Sequence, residues 1–186
     1  MLLGLAYGTS AEDILGSSIF CSDQVEKFIP PRKGKNHILR IIRDLLEFKP
    51  QNKGTDLNPG LVQLTHGVKR RCTAFLVSDF ITRNYFNNLK MAKSKHDIIA
   101  IKCFDELEKD LPKIGLVKML NPETGEENWV NTNAKSTREN YKSWWNNISS
   151  EFNECCKKTG IDRVVLNTNE NYVTPLMKVF KKREGK

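Results

Sequence analysis

The sequence predicts an α/β protein with an open, doubly wound, mostly parallel sheet and helices on both faces. Three observations carry that reading. Short β-rich runs alternate with helical stretches of about ten residues or more, the pattern that βαβ units require. The runs 71–80 and 98–104 are apolar on both faces, as strands covered from both sides by helices must be. The 186 residues, 39% hydrophobic and 28% charged, supply one core, and no linker is long enough to divide residues 1–186 into two domains.

Each element has its own signal. Residues 14–22 and 25–30 are apolar runs around Ser22-Asp23, two strands joined by a tight turn. Residues 35–48 are helical, with Ile38, Ile42 and Leu45 or Leu46 recurring at three- and four-residue steps as one buried stripe. Residues 50–54 break that pattern. Asp56 or Asn58 then caps a short helix through Leu61, Leu64 and Val68, with Pro59 in its first turn. A helix through Tyr85, Leu89 and Ala92 separates the two buried runs. Residues 116–120 and 128–132 flank Asn121-Pro122-Glu123-Thr124-Gly125, which predicts an inserted β-hairpin. Ser136-Thr137-Arg138-Glu139 has capping-box spacing. It opens the strongest helix, striped by Tyr141, Trp144, Trp145, Ile148, Phe152 and Cys155 or Cys156. A short strand at 164–166 follows. Thr174-Pro175 then starts a last helix through Leu176, Val179 and Phe180, ending in Lys181-Lys182-Arg183.

Composition narrows the function classes. Thirty Lys+Arg against 22 Asp+Glu give a net charge of +8, which attracts polyanions and says nothing about fold. The basic clusters, Arg32-Lys33 with Lys35, Lys69-Arg70-Arg71 and Lys181-Lys182-Arg183, sit at element boundaries, where a solvated surface is the default reading. Nucleic-acid modules interleave such charges with exposed aromatics, whereas Trp144, Trp145 and Phe152 fall on a helical stripe. No specific nucleic-acid partner is therefore expected. Five cysteines cannot all pair internally and no C-x-x-C occurs, so reduced thiols and a cytoplasmic location are expected. No apolar run reaches the roughly 18 residues of a membrane span. Neither G-x-G-x-x-G nor G-x-x-x-x-G-K-[ST] is present, so the usual phosphate cradles are missing. His37, His66 and His96 lie far apart, without zinc-ligand spacing. His96 falls at a helix end, where an imidazolium favours the dipole.

In open parallel sheets ligands gather beyond the carboxyl ends of the strands. Ser78-Asp79, Asp105 and Gly54-Thr55-Asp56 fall there, and their oxygens suit a hard cation such as Mg2+. The same residues also suit helix caps, Thr55 or Asp56 for one helix and Asp79 for the next. Asp79 and Asp105 together are the pair a metal-dependent phosphohydrolase would use to hold Mg2+ and orient water.

The motifs accumulate into a resemblance. Phe20-Cys21-Ser22-Asp23 with residues 25–34, Gly54-Thr55-Asp56-Leu57, Leu76-Val77-Ser78-Asp79-Phe80 and His96-Asp97-Ile98-Ile99-Ala100-Ile101 occur in order. Asp105, Glu108, Leu111-Pro112, Gly115-Leu116, Glu123-Thr124-Gly125-Glu126 and the tail from Thr168 to Arg183 follow. Over nearly the whole chain this resembles domain-of-unknown-function family 58. The resemblance implies a von Willebrand factor A-like domain that acts without enzymatic activity, as an adaptor or co-chaperone of a MoxR-type AAA+ ATPase. It also implies a metal-ion-dependent adhesion site for Mg2+, made of D-x-S-x-S after the first strand, a loop Thr and a later Asp. Thr55 is similar to the second element and Asp79 to the third. No D-x-S-x-S occurs, so the implied site is partial. By the same resemblance the chain opens inside the helix after the first, central strand, as a fragment of a longer protein would. The strands at 14–22 and 71–80 should then lack a shared neighbour, unless they close up directly. Each buried backbone group left unpaired costs about 1–3 kcal/mol.

Overall fold

The computed structural model describes the backbone of residues 2–7 and all of residues 15–52, 54–120 and 126–184. Six strands form one sheet: β1 (Leu2–Tyr7), β2 (Leu15–Cys21), β3 (Val25–Lys33), β4 (Thr73–Ser78), β5 (Asp97–Phe104) and, late in the chain, Asp162–Asn167. A separate antiparallel hairpin, β6 (Leu116–Leu120) and β7 (Glu127–Asn131), comes before that last strand, which is therefore β8. The hairpin is the expected insertion; its turn, 121–125, lies outside the described residues.

The sheet order is β3-β2-β1-β4-β5-β8. This corrects two expectations. The central position is not missing: β1 fills it, with Leu2 opposite Phe20 on one side and Val77 on the other. Nor do β2 and β4 close up on each other. β1 runs antiparallel to both neighbours; toward β2 the connection, residues 8–14, is too short for the crossover of a dozen residues that a parallel pair needs. The sheet is accordingly mixed rather than mostly parallel. Among the described residues only β4–β5 and β5–β8 pair in parallel, and β2–β3 is a tight antiparallel hairpin. The backbone groups expected to be orphaned on β2 and β4 are paired through β1.

Helices cover both faces, as predicted. On one face α2 (Asn58–Gly67), α3 (Phe86–Lys95) and α4 (Lys135–Thr159) bury Leu61, Leu64, Leu89, Ala92, Phe152 and Cys156 against Ile19, Ala74, Leu76, Ile98 and Ala100. On the other, α5 (Val173–Glu184) lays Leu176 and Val179 against Ile99, Ile101 and Val164. α1 (Lys35–Glu47) also lies on this second face. Gly16 of β2 is what lets it approach, since a Cβ there would collide with Ile38 and press on Ile41.

α1 is rotated from its predicted orientation. Of the predicted stripe Ile38 does face the sheet, over Gly16, whereas Ile42, Leu45 and Leu46 face solvent, Leu46 being 80% exposed. The buried positions are His37 and Asp44. His37 Nε2 hydrogen-bonds the Gly16 carbonyl at 3.0 Å, and Asp44 pairs with Lys27 of β3 at 3.1 Å. Two polar anchors seven residues apart thus fix the inward stripe, and apolar periodicity alone pointed to the neighbouring face.

Helix ends also differ from expectation. α4 begins after Ala134, with no side-chain cap, and Ser136 already lies within its first turn. The capping box occurs instead at a short 3-10 turn, Glu106–Glu108, where Asp105 and Glu108 bond reciprocally. α4 ends on Gly160 at φ +64°, with Ile161 N–H donating back to the Cys156 carbonyl at 3.0 Å. This left-handed closure favours glycine. The final basic cluster is not simply solvated. Arg183 donates to Asp162 at 2.7 Å and to Asp97 at 2.6 Å, tying α5 to the starts of β5 and β8.

Candidate functional site

β2, β4, β5 and β8 run the same way, so the turns after them share one edge of the sheet. The loop before α2 is drawn to that edge by two bonds. Asp56 N–H donates to the Ser22 carbonyl at 2.9 Å, and the Thr82 hydroxyl donates to the Thr55 carbonyl at 3.3 Å. Residues 54–56 therefore stand beside the ends of β2 and β4, on the same rim as Asp79.

The carboxylates on this rim are engaged in shaping turns. Asp56 Oδ1 accepts from the Asn58 backbone at 2.9 Å and its side chain at 2.8 Å, opening α2 much as a cap would. Asp79 Oδ1 accepts from Ile81 N–H at 3.1 Å and the Ser78 hydroxyl at 3.3 Å. It closes a turn and caps no helix, since α3 starts only at Phe86. Asp105 Oδ1 accepts from Leu107 N–H at 2.9 Å, and Oδ2 accepts from Thr168 at 3.0 Å and Asn169 at 3.4 Å. These bonds, Leu107 first, hold the Asp105 carboxyl below its ordinary range. They also draw Asp105 toward β8, so Asp79 and Asp105 are fastened into different turns.

Between β4 and α3 the chain takes two left-handed steps, Phe80 at φ 55° and Asn84 at φ 61°. Such a conformation is unusual for an aromatic residue. It is held by the buried Phe80 ring, 4.4 Å from Phe152 and 5.9 Å from Tyr85, and by Phe80 N–H on the Ser78 hydroxyl at 3.1 Å.

For the cation that the resemblance implies, the donor set falls short. Among the described residues no group of three or more His, Cys, Asp and Glu is placed to hold a metal ion. Thr55 and Asp79 offer one hydroxyl and one carboxylate, with an Asp79 oxygen already accepting two bonds. A hard divalent ion wants about six oxygens, so these two residues do not by themselves fit it.

Two polar groups that periodicity did not mark are buried behind the rim. His96 is 1% exposed. Its Nε2 meets the Leu64 carbonyl at 3.1 Å, and its Nδ1 lies 3.3 Å from Cys72 Sγ. A carbonyl can only accept, so Nε2 carries the proton and Cys72 donates to Nδ1. Burial pushes the imidazole pKa down, partly offset by the Leu64 bond. His96 is thus a neutral core residue and not the dipole-favouring cation its position suggested. Lys102, on β5, is the second group: it is 3% exposed, against the Trp145 and Phe152 rings, and burial lowers its pKa. Among the described residues no cysteine is joined in a disulfide. No helix among the described residues is long and apolar enough to cross a membrane.

The chain belongs to the family described as "Protein of unknown function DUF58", which matches residues 5–149. Curated relatives are similar to it at lower identity. "Uncharacterized protein Rv1480" of Mycobacterium tuberculosis and "Uncharacterized protein Mb1516" of Mycobacterium bovis are each 27% identical over 100 residues, 52% of this chain and 32% of theirs. "Uncharacterized protein MAV169" of Mycobacterium avium is 22% identical over 158 residues, 83% of this chain and 93% of its own. The chain spans about a third of the length of the first two. No solved structure matches it.

Proposed function

We propose that this chain is a non-enzymatic protein-binding module, a von Willebrand factor A-like adaptor or co-chaperone of a MoxR-type AAA+ ATPase. The observation that carries the reading is the apolar stripe that α1 turns outward. Leu39, Ile42 and Leu46 are 51%, 47% and 80% exposed, and their three- and four-residue spacing places them on one face. Contiguous exposed apolar surface rimmed by polar residues marks a contact site for another protein. Here the rim is basic, with Arg40 and Arg43 on the same helix about half or more exposed. Family membership supports the choice of partner through the resemblance described above. Thr55 and Asp79 serve as polar contacts at the strand-end rim, where a cation would need its remaining ligands from the partner or water.

Covering a half-exposed Leu or Ile contributes about 1 kcal/mol, a fraction of full side-chain burial, so the three together supply about 3 kcal/mol and the surrounding surface must supply the rest of what association costs. The test is a pull-down of a MoxR-type ATPase on this chain, with and without Mg2+, alongside Leu46→Glu. Association that Leu46→Glu removes is expected. Failure to associate under either condition refutes the proposal.

A further inference from the structure

We infer that the cleft between α4 and strands β5 and β8 is a subsite for a single carboxylate, with Lys102 as its binding cation. β5 alternates strictly: Ile98 and Ala100 point into the core beneath α2, α3 and α4, and Lys102 is next on that face. An apolar side chain is expected there and an ammonium is found, 3% exposed. Its Nζ has no hydrogen-bond partner among the described residues. It rests on two rings of α4, 5.2 Å from the Trp145 centroid and 5.7 Å from Phe152. Ring faces attract a cation but accept none of its three protons in a full hydrogen bond. A buried ammonium in that condition is costly to keep, and it is poised for an anionic acceptor.

The cleft itself has room for one. It measures about 210 Å³ and is lined by Lys102, Trp145, Ser149 and Asn153 among others. Trp145, Ser149 and Asn153 recur every four residues, so α4 presents a ring, a hydroxyl and an amide in one row. The space holds several waters, enough for a carboxylate on a short stem. Charge selects a monoanion over a phosphate dianion. The other lining cation, Lys109, is already paired with Glu106 at 2.9 Å, and the carboxylates of Asp79 and Glu108 also act on Lys102. The four-carbon stem of Lys102 lets the ammonium swing from the rings into the cleft. This inference is independent of the α1 surface, so either can fail alone.

The test is a titration of the whole chain at constant ionic strength, following the Trp145 indole N–H by two-dimensional NMR. The probes are sodium propanoate, the blocked peptide acetyl-Ala-Glu-Ala-amide, its Gln counterpart and inorganic phosphate. Saturable shifts with propanoate or the Glu peptide, and none with the Gln peptide, are expected. Saturation by the peptide alone identifies a protein side chain as the source, and saturation by propanoate as well identifies free small acids. Lys102→Met should weaken binding at least about tenfold, the loss of one charge-assisted bond, while melting no lower than wild type because a buried unpaired charge is removed. Asn153→Asp, at an exposed position, places a competing carboxylate beside the cleft and should weaken binding without unfolding the chain. Equal binding by Lys102→Met, tighter binding of phosphate than of either carboxylate, or no saturable shift with any probe overturns the inference.

Discussion

Replacing Arg183 by Met removes the clasp that holds α5 on the sheet, and the effect can be worked from the geometry. Arg183 Nε donates to Asp162 at 2.7 Å and Nη2 to Asp97 at 2.6 Å, with all three side chains less than a third exposed. Hydrogen bonds to charged groups contribute about 1.5–3 kcal/mol each, and removing one partner of a half-buried pair leaves carboxylates without their cation. Solvent screening and the remaining Lys93–Asp97 pair at 3.2 Å reduce the sum, so a loss of about 2–3 kcal/mol is expected. For a chain of this size each kcal/mol moves Tm by about 2–4 °C, which gives a fall of about 4–12 °C in a thermal melt followed by circular dichroism. The pH profile adds a sign. Burial alone would raise the Asp97 carboxyl, but the bonds from Arg183 and Lys93 hold it below its ordinary value. Its contribution is therefore fully present above the unfolded value near 3.9 and is lost as pH falls through the lower folded value. Wild type should lose stability more steeply than Arg183→Met below about pH 4. A Tm change under about 1 °C, or parallel acid profiles, would refute the clasp.

Other expectations follow from single residues. Burial keeps His96 neutral in the fold, so the unfolded chain takes up a proton below about pH 6.5. Stability should then decline as pH falls below that value, and His96→Asn should flatten the decline in melts from pH 7.5 to 5. Burial pushes the thiol of Cys21 up to about 11 and that of Cys156 to about 12. At pH 8 Cys21 should react with an aromatic disulfide reagent about a hundredfold, and Cys156 about a thousandfold, more slowly than in denaturant, in proportion to the lost thiolate; equal rates would contradict their burial. Gly160→Ala forces a Cβ into the left-handed closure of α4 and should cost about 1–2 kcal/mol in chemical denaturation; an unchanged midpoint would show that the helix ends elsewhere.

Much of the architecture was legible because its signals are local. The apolar run at 98–104 is β5, the two apolar runs around Ser22-Asp23 are the β2–β3 hairpin, and the stripe from Trp145 to Cys156 is the inward face of α4. What was not legible depended on partners distant in sequence. Leu2–Tyr7 carries no feature that marks it as the middle strand; only pairing with both β2 and β4 makes it one. The orientation of α1 was misread because His37 and Asp44 count as polar in any periodicity, yet the Gly16 carbonyl and Lys27 pull them inward. The rim was located correctly as an edge, since strand ends are predictable from the runs themselves. Which carboxylates were free there was not, because Thr168 and Asn169, the groups that engage Asp105, lie more than sixty residues away. Nothing local marks Lys102 either, since the rings that cover it, Trp145 and Phe152, come from α4, more than forty residues on.

The protein-binding reading stands or falls on titration calorimetry of the purified chain into a MoxR-type ATPase, run beside Leu46→Glu and Ile42→Glu. Both substitutions sit at exposed positions and should leave Tm within about 2 °C, the range of surface changes. The expected result is saturable heat for wild type and at least a tenfold weaker interaction for each variant. Saturable heat that neither substitution alters, or none for wild type, would contradict the assignment of α1 as the contact surface.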